Sequence, residues 1–392
     1  MLDGSISYGR QTIDEDDLRA VCEVLRGERL TQGPAVRRFE EALEQRTGAS
    51  HAVAVANGTL ALELAYAALG LGPGARLLTS ANTFLASATA ALRVGADAGF
   101  VDVDPLTGLL SVDEVASRLE RGERIDAVTV VHFAGRVAPM GRWIELKRRF
   151  GFKLIEDACH SLGAKFRFEE EWWGPGAHPE VDCAALSFHP VKQITTAEGG
   201  AVLTAHASLA RRVATIACHG IDREAGERPF EGSHDDGAPS WFAPMLRLGT
   251  NARLSDMHAA LGVSQLEKLD RFLERRREIA AVYHEALSAD WQLMDSGDED
   301  HQHAWHLVCL QVEPERRPAL WRHLEDNGIQ PQLHYYPVPL QPYFRERVGS
   351  RRFPNAERHA RSSLSLPIYP TLTDLALERV LLVLDEFRRR ST

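Results

Sequence analysis

Short apolar runs of strand length recur through the first 255 residues of the chain, and stretches with helical periodicity separate many of them. The apolar runs are residues 51–56, 76–79, 99–103, 127–131, 153–156, 183–188 and 201–204. The helical stretches lie at about 60–70, 84–94, 111–120 and 139–150. Apolar strands that alternate with helices are typical of a mostly parallel sheet covered by helices on both faces. This alternation therefore predicts an α/β fold with a mixed, mostly parallel sheet.

Two helices are predicted before the first strand. Residues 12–15 read TIDE, a capping-box pattern in which Thr12 would cap a helix that stops at Gly27. Pro34 opens the second helical pattern and Gly48 closes it, as expected from the preference for proline at the first helical position and glycine just past the last.

The pattern changes after Ser255. The elements predicted beyond it are a long amphipathic helix, a strand and two shorter helices, at 256–287, 306–312, 318–327 and 373–390. We therefore divide the chain into a large domain with an N-terminal arm over residues 1–255 and a small C-terminal α/β domain over residues 256–392.

The charge and cysteine content exclude several classes of function. A formal net charge of −10 and a pI near 5.9 argue against a nucleic-acid-binding protein, which would need a general attraction for phosphates. The five cysteines are scattered with no CxxC spacing, so we expect reduced thiols and a cytoplasmic location. No apolar run approaches the roughly 20 residues of a membrane span, and the N-terminus lacks a signal-peptide core, so no membrane association is expected.

Lysine is rare in this chain, which has 40 arginines and five lysines. Lysine can lose its proton whereas arginine cannot, so a lysine in an uncharged, structured stretch is notable. Lys192 is such a residue, because it follows the apolar run at 183–188 and precedes the segment TTAEGG at 195–200. An apolar loop of this kind suits a lysine to Schiff-base chemistry. The alternative is an ordinary surface lysine.

A candidate phosphate site follows the run at 51–56. There Asn57, Gly58 and Thr59 lead into a helical pattern that begins at Leu60. A tight glycine turn before a helix exposes unpaired N–H groups beside the positive end of the helix dipole, which favours a phosphate. The alternative is an ordinary connection between a strand and a helix.

Two other strand ends carry notable residues. Glu156 and Asp157 end the run at 153–156, and acids in this position are costly unless a cation meets them. The alternative is that Asp157 caps a helix. Phe84 follows the run at 76–79 and is suited either to stacking on a planar cofactor or to packing in the core.

Together, these four features match the requirements of pyridoxal 5′-phosphate. A carboxylate keeps the pyridine nitrogen of that cofactor protonated, a lysine bonds its aldehyde, and the two other features supply a phosphate site and a stacking ring. Other cofactors are less well matched, because the chain has no GxGxxG after its first strand, no Walker A lysine, no HExxH and no metal-spaced cysteine and histidine set.

The chain closely resembles the DegT/DnrJ/EryC1/StrS family of sugar aminotransferases, which are fold-type I pyridoxal-phosphate enzymes. The resemblance covers nearly the whole chain, and the stretch SFHPVKQITTAEGG at 187–200 is its most specific part. The related sugar dehydratase has histidine at the position of Lys192. Other matching segments are YGRQTID at 8–14, LTQGP at 30–34, ANGTLALELA at 56–65, NTFLASA at 82–88, IEDACHSLGA at 155–164, LGTNARLSDMHAALGVSQL at 248–266 and HYYPVPLQPYF at 334–344.

This resemblance implies roles for individual residues. Lys192 would bond the cofactor, Asp157 would pair with its pyridinium nitrogen, and His160 would lie near its phenolic oxygen. Phe84 would stack on the ring, and the residues that hold the phosphate would be Gly58, Thr59 and Ser187. Asn251 would reach the phosphate from the partner subunit, because family members are obligate homodimers with shared active sites. The residues implied around the substrate are Tyr8, Arg10, Thr31, His189, Arg253, His334 and Tyr335.

The resemblance also implies a reaction. Within the family, the segments quoted above are most similar to members that aminate C4 of a UDP-linked sugar. We therefore expect transfer of an amino group, with glutamate as donor, to the C4 keto group of a UDP-linked 4-keto-6-deoxy sugar. The alternatives are a different keto sugar, including another nucleotide sugar or a free 8-keto acid, or a non-catalytic regulator on the same fold. Residues 167–181 depart from the family pattern, which leaves the identity of the sugar open.

Overall fold

A mostly parallel sheet is the central element of the protein, in a computed structural model that describes residues 4–222, 243–287, 291–294 and 299–390. The strands are β1 (Ile6–Ser7), β2 (His51–Val55), β3 (Arg76–Ser80), β4 (Asp97–Val101), β5 (Ala127–Val131), β6 (Lys153–Asp157), β7 (Lys165–Phe168), β8 (Glu171–Trp173), β9 (Cys183–Ser187), β10 (Gly200–Thr204), β11 (Gln292–Leu293), β12 (His301–Gln302), β13 (Val308–Gln311), β14 (Ile329–Gln330) and β15 (Ser363–Leu366). The helices are α1 (Glu15–Arg26), α2 (Pro34–Thr47), α3 (Gly58–Ala68), α4 (Ala86–Arg93), α5 (Val112–Glu120), α6 (Met140–Phe150), α7 (Ala207–Ala217), α8 (Asp256–Glu267), α9 (Leu269–Leu287), α10 (Arg317–Asp326), α11 (Pro342–Val348), α12 (Pro354–Ser362) and α13 (Asp374–Arg390).

The central sheet has the strand order β2-β10-β9-β6-β5-β3-β4. Strand β10 runs antiparallel to both of its neighbours, and the other neighbouring pairs are parallel. The sheet is therefore mixed and mostly parallel, as predicted. Because β5, β6 and β9 are parallel, their carboxyl ends lie side by side, with Asp157 in register with Val131 on one side and Ala185 on the other.

Helices cover both faces of this sheet, and each face has its own apolar core. On one face α2, α6 and α8 pack over the strands, with Phe39 and Trp143 fully buried. On the other face α3, α4 and α7 do so, with Leu62 and Tyr66 fully buried. The predicted layering of helices on both faces is confirmed. Within the described ranges, no helix combines the length and the apolar character that crossing a bilayer requires.

Helix α1 begins differently from the prediction, because Asp14 and not Thr12 is its N-cap. The Asp14 side chain accepts a hydrogen bond from the backbone N–H of Asp17, whose carboxylate accepts one from the N–H of Asp14. The carbonyl of Thr12 accepts a hydrogen bond from Gln265 Nε2 at 2.8 Å, which holds this part of the chain against α8, outside the helix. Helices α1 and α2 end at the predicted glycines.

The long helix predicted for 256–287 is divided into α8 and α9 at Lys268. At this break the Lys268 ammonium lies 2.9 Å from the buried carboxylate of Asp17 and also pairs with Asp14. A buried carboxylate is costly without a cationic partner, and the break allows Lys268 to supply one. The prediction of one continuous helix was wrong for this reason.

A smaller antiparallel sheet with the order β11-β13-β15 lies in the C-terminal part of the chain. Its core includes Ile279, Leu324 and Leu384, from α9, α10 and α13. The strand predicted at 306–312 is β13, which is shorter. The division at residue 255 remains a prediction, since α8 packs on the N-terminal helices α1 and α2.

The segment that departs from the family pattern forms a β-hairpin of β7 and β8. Glu169 and Glu170 occupy its turn, with φ of 51° and 68°. The Trp173 ring packs on His178 with centroids 4.7 Å apart, whereas Trp172 is 41% exposed. Strand β12 pairs with β7 on the other side. The segment is therefore an ordered hairpin with one packed and one partly exposed tryptophan.

Two glutamates of α2 cover the free edge of the central sheet at β2. Glu44 Oε1 accepts a hydrogen bond from the N–H of Ala52 at 3.1 Å, and Glu40 Oε1 accepts one from the N–H of Ala54 at 3.0 Å. Such amides on an edge strand would otherwise lack partners. Burial raises the pKa of Glu40 to about 7, although the Ala54 amide and Arg37 act in the opposite direction.

We expect Glu40 to make the stability of the fold fall as the pH rises. Its pKa of about 7 in the folded chain lies above the ordinary value of 4.5, so the stabilisation is full in acid and is lost as the pH rises through 7. Glu40→Gln keeps an acceptor for the Ala54 amide without a charge. The Tm of the variant minus the Tm of the wild type should therefore increase as the pH rises from about 5 to about 8. Thermal unfolding checks this, with the exposed Glu41→Gln as control. Parallel Tm curves for Glu40→Gln and the wild type would contradict it.

Candidate active site

A cavity of about 850 Å³ opens at the carboxyl ends of β6 and β9. This is the edge of an open α/β sheet at which ligands bind. The predicted site residues that line it are Tyr8, Gly58, Thr59, Phe84, Asp157, His160, Ser187, His189, Lys192, His334 and Tyr335. The structure therefore brings most of the predicted residues to one place.

The start of α3 forms one wall of the cavity. Asn57 is the N-cap, and its side-chain oxygen accepts a hydrogen bond from the N–H of Leu60 at 2.9 Å. The N–H groups of Gly58 and Thr59 lie in the first turn, where no intrahelical acceptor exists. A Cβ on Gly58 would lie 2.9 Å from the Cβ of Ser187. The glycine therefore lets the start of the helix pack closely against Ser187, which brings the free N–H groups and the Ser187 hydroxyl to the same wall of the cavity, where they can bind an anion.

Asp157 ends β6 and is buried at the floor of the cavity. Its Oδ2 accepts a hydrogen bond from Ser87 Oγ at 2.5 Å, and its Oδ1 accepts one from the N–H of Cys159 at 3.3 Å. No helix follows it, so it is not a helix cap. The preceding Glu156 faces the other side of the sheet, where it accepts a hydrogen bond from the N–H of Gly176 at 2.6 Å. Only one of the two strand-end acids therefore serves the cavity.

Lys192 lies in the loop between β9 and β10 and is half-buried. The loop is closed at its base by a hydrogen bond from the N–H of Phe188 to the carbonyl of Gly199 at 2.9 Å. Desolvation lowers the pKa of Lys192, although Cys159 and Asp157 act in the opposite direction. The lysine is thus a constrained cavity residue with an amine that loses its proton more readily than usual.

His160 and Tyr335 form a polar pair on the cavity wall. His160 Nε2 and the Tyr335 hydroxyl are 2.9 Å apart, and the N–H of Tyr335 donates to Asn82 Oδ1 at 2.9 Å. Desolvation holds the pKa of His160 well below its ordinary value, and Lys192 and His334 lower it further. Burial holds the pKa of Tyr335 well above its ordinary value. At neutral pH the pair therefore consists of a neutral imidazole and a protonated phenol.

Phe84 is not a core residue. Its side chain is 55% exposed at the cavity, and its ring centroid lies 6.2 Å from that of Tyr335. An exposed aromatic ring beside a polar pocket is available to stack on a planar ligand.

Four predicted residues do not line this cavity: Arg10, Thr31, Asn251 and Arg253. Thr31 pairs with Ser255 in an isolated bridge, and Arg253 donates to Cys218 Sγ at 3.4 Å. Asn251 is exposed, as is Arg10. The role of Asn251 across the subunit interface and the roles of Arg10, Thr31 and Arg253 around the substrate remain predictions. Residues 165–181 also contribute nothing to the lining of the cavity.

Three further residues of this region are not predicted from the sequence. Ser87 orients Asp157, Cys159 lies between Asp157 and the start of α3, and His306 lines the cavity beside His160. Ser87 stands within the NTFLASA segment, and its spacing from Phe84 along a predicted helix was the available signal. His306 comes from the loop before β13, and nothing in its local pattern connects it to β6.

These groups fit pyridoxal phosphate. A helix N-terminus that only a glycine allows to approach Ser187 lies at one wall, a buried carboxylate faces the same cavity as a constrained lysine, and an exposed aromatic ring also lines it. Such a set on a mostly parallel sheet defines a fold-type I pyridoxal-phosphate enzyme. The chain belongs to the DegT/DnrJ/EryC1/StrS aminotransferase family, whose sequence model matches residues 11–385.

Solved structures of similar proteins agree with this assignment. The aminotransferase TlmJ from Streptoalloteichus hindustanus is 28% identical, with a TM-score of 0.89 over 99% of this chain and 100% of that one. DesV from S. venezuelae is 31% identical, with a TM-score of 0.85 over 95% and 94%. The putative sugar aminotransferase Spr1654 from Streptococcus pneumoniae, in its PLP form, is 24% identical, with a TM-score of 0.88 over 99% and 100%. The predicted fold and the predicted cofactor are confirmed, and the protein is a sugar aminotransferase that uses pyridoxal phosphate.

We expect Gly58→Ala to weaken cofactor binding without loss of the fold. The added methyl group would lie 2.9 Å from the Cβ of Ser187, so the start of α3 would have to move away from Ser187 and carry with it the N–H groups that would bind the phosphate. Cofactor affinity, measured by titrating the apo-protein, should fall by about tenfold or more. Gly72→Ala is the control, because its Cβ would approach no atom closer than 3.7 Å. Equal cofactor affinities of Gly58→Ala and Gly72→Ala would contradict a phosphate site at the start of α3.

Proposed function

We propose that the protein transfers an amino group from glutamate to the C4 keto group of a UDP-linked 4-keto-6-deoxy sugar. The sequence segments resemble those of the transaminase that forms UDP-4-amino-4,6-dideoxy-N-acetyl-β-L-altrosamine, which supports this choice of acceptor. The observation that carries the reaction class is the meeting of Lys192, Asp157 and the N-terminus of α3 in one cavity.

Lys192 is the proton carrier in this proposal. When bound, pyridoxal phosphate supplies an aldehyde that accepts an amine and a ring that withdraws electrons from it. Desolvation lowers the pKa of Lys192, so that Nζ is available without its proton near neutral pH more often than an exposed lysine would be. A neutral amine at this position can both take up a proton and return it at a neighbouring carbon.

The residues around Lys192 would orient the cofactor. Asp157 presents a carboxylate whose position is set by Ser87, and this carboxylate suits a protonated ring nitrogen. The neutral His160, held by Tyr335, offers a hydrogen bond to a ring oxygen without adding charge. Phe84, which is exposed at the cavity, would stack on the ring.

The size of the cavity supports a second ligand beside the cofactor. Small-molecule sites usually have volumes of about 300 to about 1,000 Å³. The volume of this cavity, about 850 Å³, is near the upper end of that range. Its rim includes Tyr8, His189 and Gln332, which suit the hydroxyl groups of a sugar.

The charge of the cavity supports a shared site in a homodimer. Its lining from one chain carries the acids Glu63, Asp157 and Glu198 against the cations Arg93 and Lys192, and Arg93 pairs with Glu63 at 2.5 Å. A UDP group adds two further negative charges, which need cations from outside this lining. Arg10, together with Arg253 and Asn251 of the partner subunit, would supply the missing contacts.

A panel of acceptors tests the substrate. The holoenzyme is incubated with glutamate and UDP-linked 4-keto-6-deoxy sugars, other nucleotide-linked keto sugars, or free keto acids, and the amino product is measured by mass spectrometry. The UDP-linked 4-keto sugar should have a kcat/KM about tenfold or more above the others. Lys192→Arg should give no product, whereas the control Lys153→Arg, at the opposite end of β6, should retain turnover. Conversion of a free keto acid alone would overturn the proposed substrate and leave the aminotransferase class standing.

Mixing two variants tests the shared site. If Asn251 acts across the interface, a mixed dimer of Lys192→Ala and Asn251→Ala contains one site with both native residues. Refolding the two inactive variants together in equal amounts should restore about a quarter of the wild-type activity, since half of the dimers are mixed and each has one intact site. No gain over the separate variants would contradict the trans role of Asn251. Two copies of Lys192→Ala treated in the same way are the control.

A further inference from the structure

A buried arginine without an acidic partner lies behind the cavity. Arg276 in α9 is fully buried, and its Nε and Nη2 have no hydrogen-bond partner. Throughout the described part of the chain, no carboxylate lies within ion-pair distance of it. Burial lowers the pKa of Arg276 to about 10, so it stays charged at neutral pH. An unpaired buried charge is costly.

The guanidinium holds two loops together. Arg276 Nη1 donates to the carbonyl oxygens of Trp305 at 3.2 Å, His306 at 3.4 Å and Ile368 at 3.1 Å. The first two carbonyls belong to the loop before β13, and the third belongs to the loop after β15. All three bonds come from Nη1, and a lysine Nζ would lie one bond closer to the main chain, so a lysine at this position does not reach the same three carbonyls.

The loop before β13 carries His306 to the cavity. The His306 ring is buried, and its centroid lies 4.3 Å from that of His160. Its Nδ1 has no hydrogen-bond partner. The N–H of His306 donates to the carbonyl of Ala134 at 2.9 Å, so the main chain is fixed on that side, and Arg276 fixes it on the other.

We propose that Arg276 is a positioning residue of the active site, which seats His306 against His160 and places an unpaired positive charge behind the cavity that Lys192 lines. The proposal rests on the proposed role of Lys192. The proposal gives the costly buried charge of Arg276 a role, because a positive charge near Lys192 disfavours the protonated form of that lysine. Desolvation is the largest cause of the lowered pKa of Lys192 and of His306, and the charge of Arg276 acts in the same direction as a smaller contribution, which for Lys192 opposes the effects of Cys159 and Asp157.

The charge is tested on the apo-protein through the reactivity of Lys192. Acylation of Lys192 by acetic anhydride is followed by mass spectrometry across a pH series, because only the neutral amine reacts. The profile of Arg276→Gln should move to higher pH, with a rate near neutral pH about threefold to tenfold below the wild type. Arg276→Lys keeps the charge and should stay within about twofold of the wild type. Arg118→Gln is the matched control, since Arg118 is also buried but pairs with Glu114 away from the cavity.

The positioning is tested by a double-mutant cycle on cofactor affinity. Arg276→Lys releases at least one of the three carbonyls and should weaken cofactor binding by about fivefold or more. His306→Asn removes the ring that Arg276 seats, so the double variant should lose clearly less than the product of the two single losses. Circular dichroism confirms that each variant is folded before its affinity is compared.

Two results would overturn the proposal. An acylation profile of folded Arg276→Gln that superimposes on the wild type would refute the role of the charge. Independent losses in the cycle of Arg276→Lys and His306→Asn would refute the seating of His306, and this arm holds even if Arg276→Gln does not fold. Neither measurement requires turnover, so a failure of the proposed sugar substrate leaves both results interpretable.

Discussion

The close approach of the α3 N-terminus to the ends of β9 and β10 is the constraint on which the site depends. A Cβ on Gly200 would lie 2.5 Å from the carbonyl carbon of Asn57, and one on Gly58 would meet Ser187. Only the absence of both side chains lets the helix point its free amides into the strand ends. The parallel register of β5, β6 and β9 then places Asp157 at the same edge, and the loop from β9 supplies Lys192.

Much of the sheet could be predicted from the sequence because its strands are apolar throughout. A short run of this kind fits few structures other than a buried strand. The cavity residues on strand ends and helix starts followed for the same reason, since Asp157, Gly58 and Lys192 stand directly beside the runs. Residues that reach the cavity from distant loops could not be predicted in this way. His306 lies some 150 positions from its neighbour His160, and only the packing of the C-terminal loops on the sheet brings the two rings together.

The errors have a common physical origin in long-range polar contacts. Thr12 was a reasonable helix cap by local pattern, but Gln265 holds its carbonyl and Asp14 takes over the cap. The helix after Ser255 was predicted as continuous, but it is interrupted at Lys268, which pairs with the buried Asp17. Both arise from the packing of α1 on α8, which helical periodicity alone does not reveal. The position of Arg10 and Arg253 outside the cavity of one chain is likewise beyond a local pattern.

The loop that carries Lys192 connects two adjacent antiparallel strands, and Gly200 in β10 is in register with Ser187 in β9. Its two ends are therefore anchored side by side, while the lysine lies between them outside the ladder. A change in the length or composition of residues 189–198 would alter the reacting group and leave the register of the sheet intact. In evolutionary terms, the sheet and the reacting group can therefore change independently. Substitutions in this one connection between two strands could change the reaction while the fold is kept.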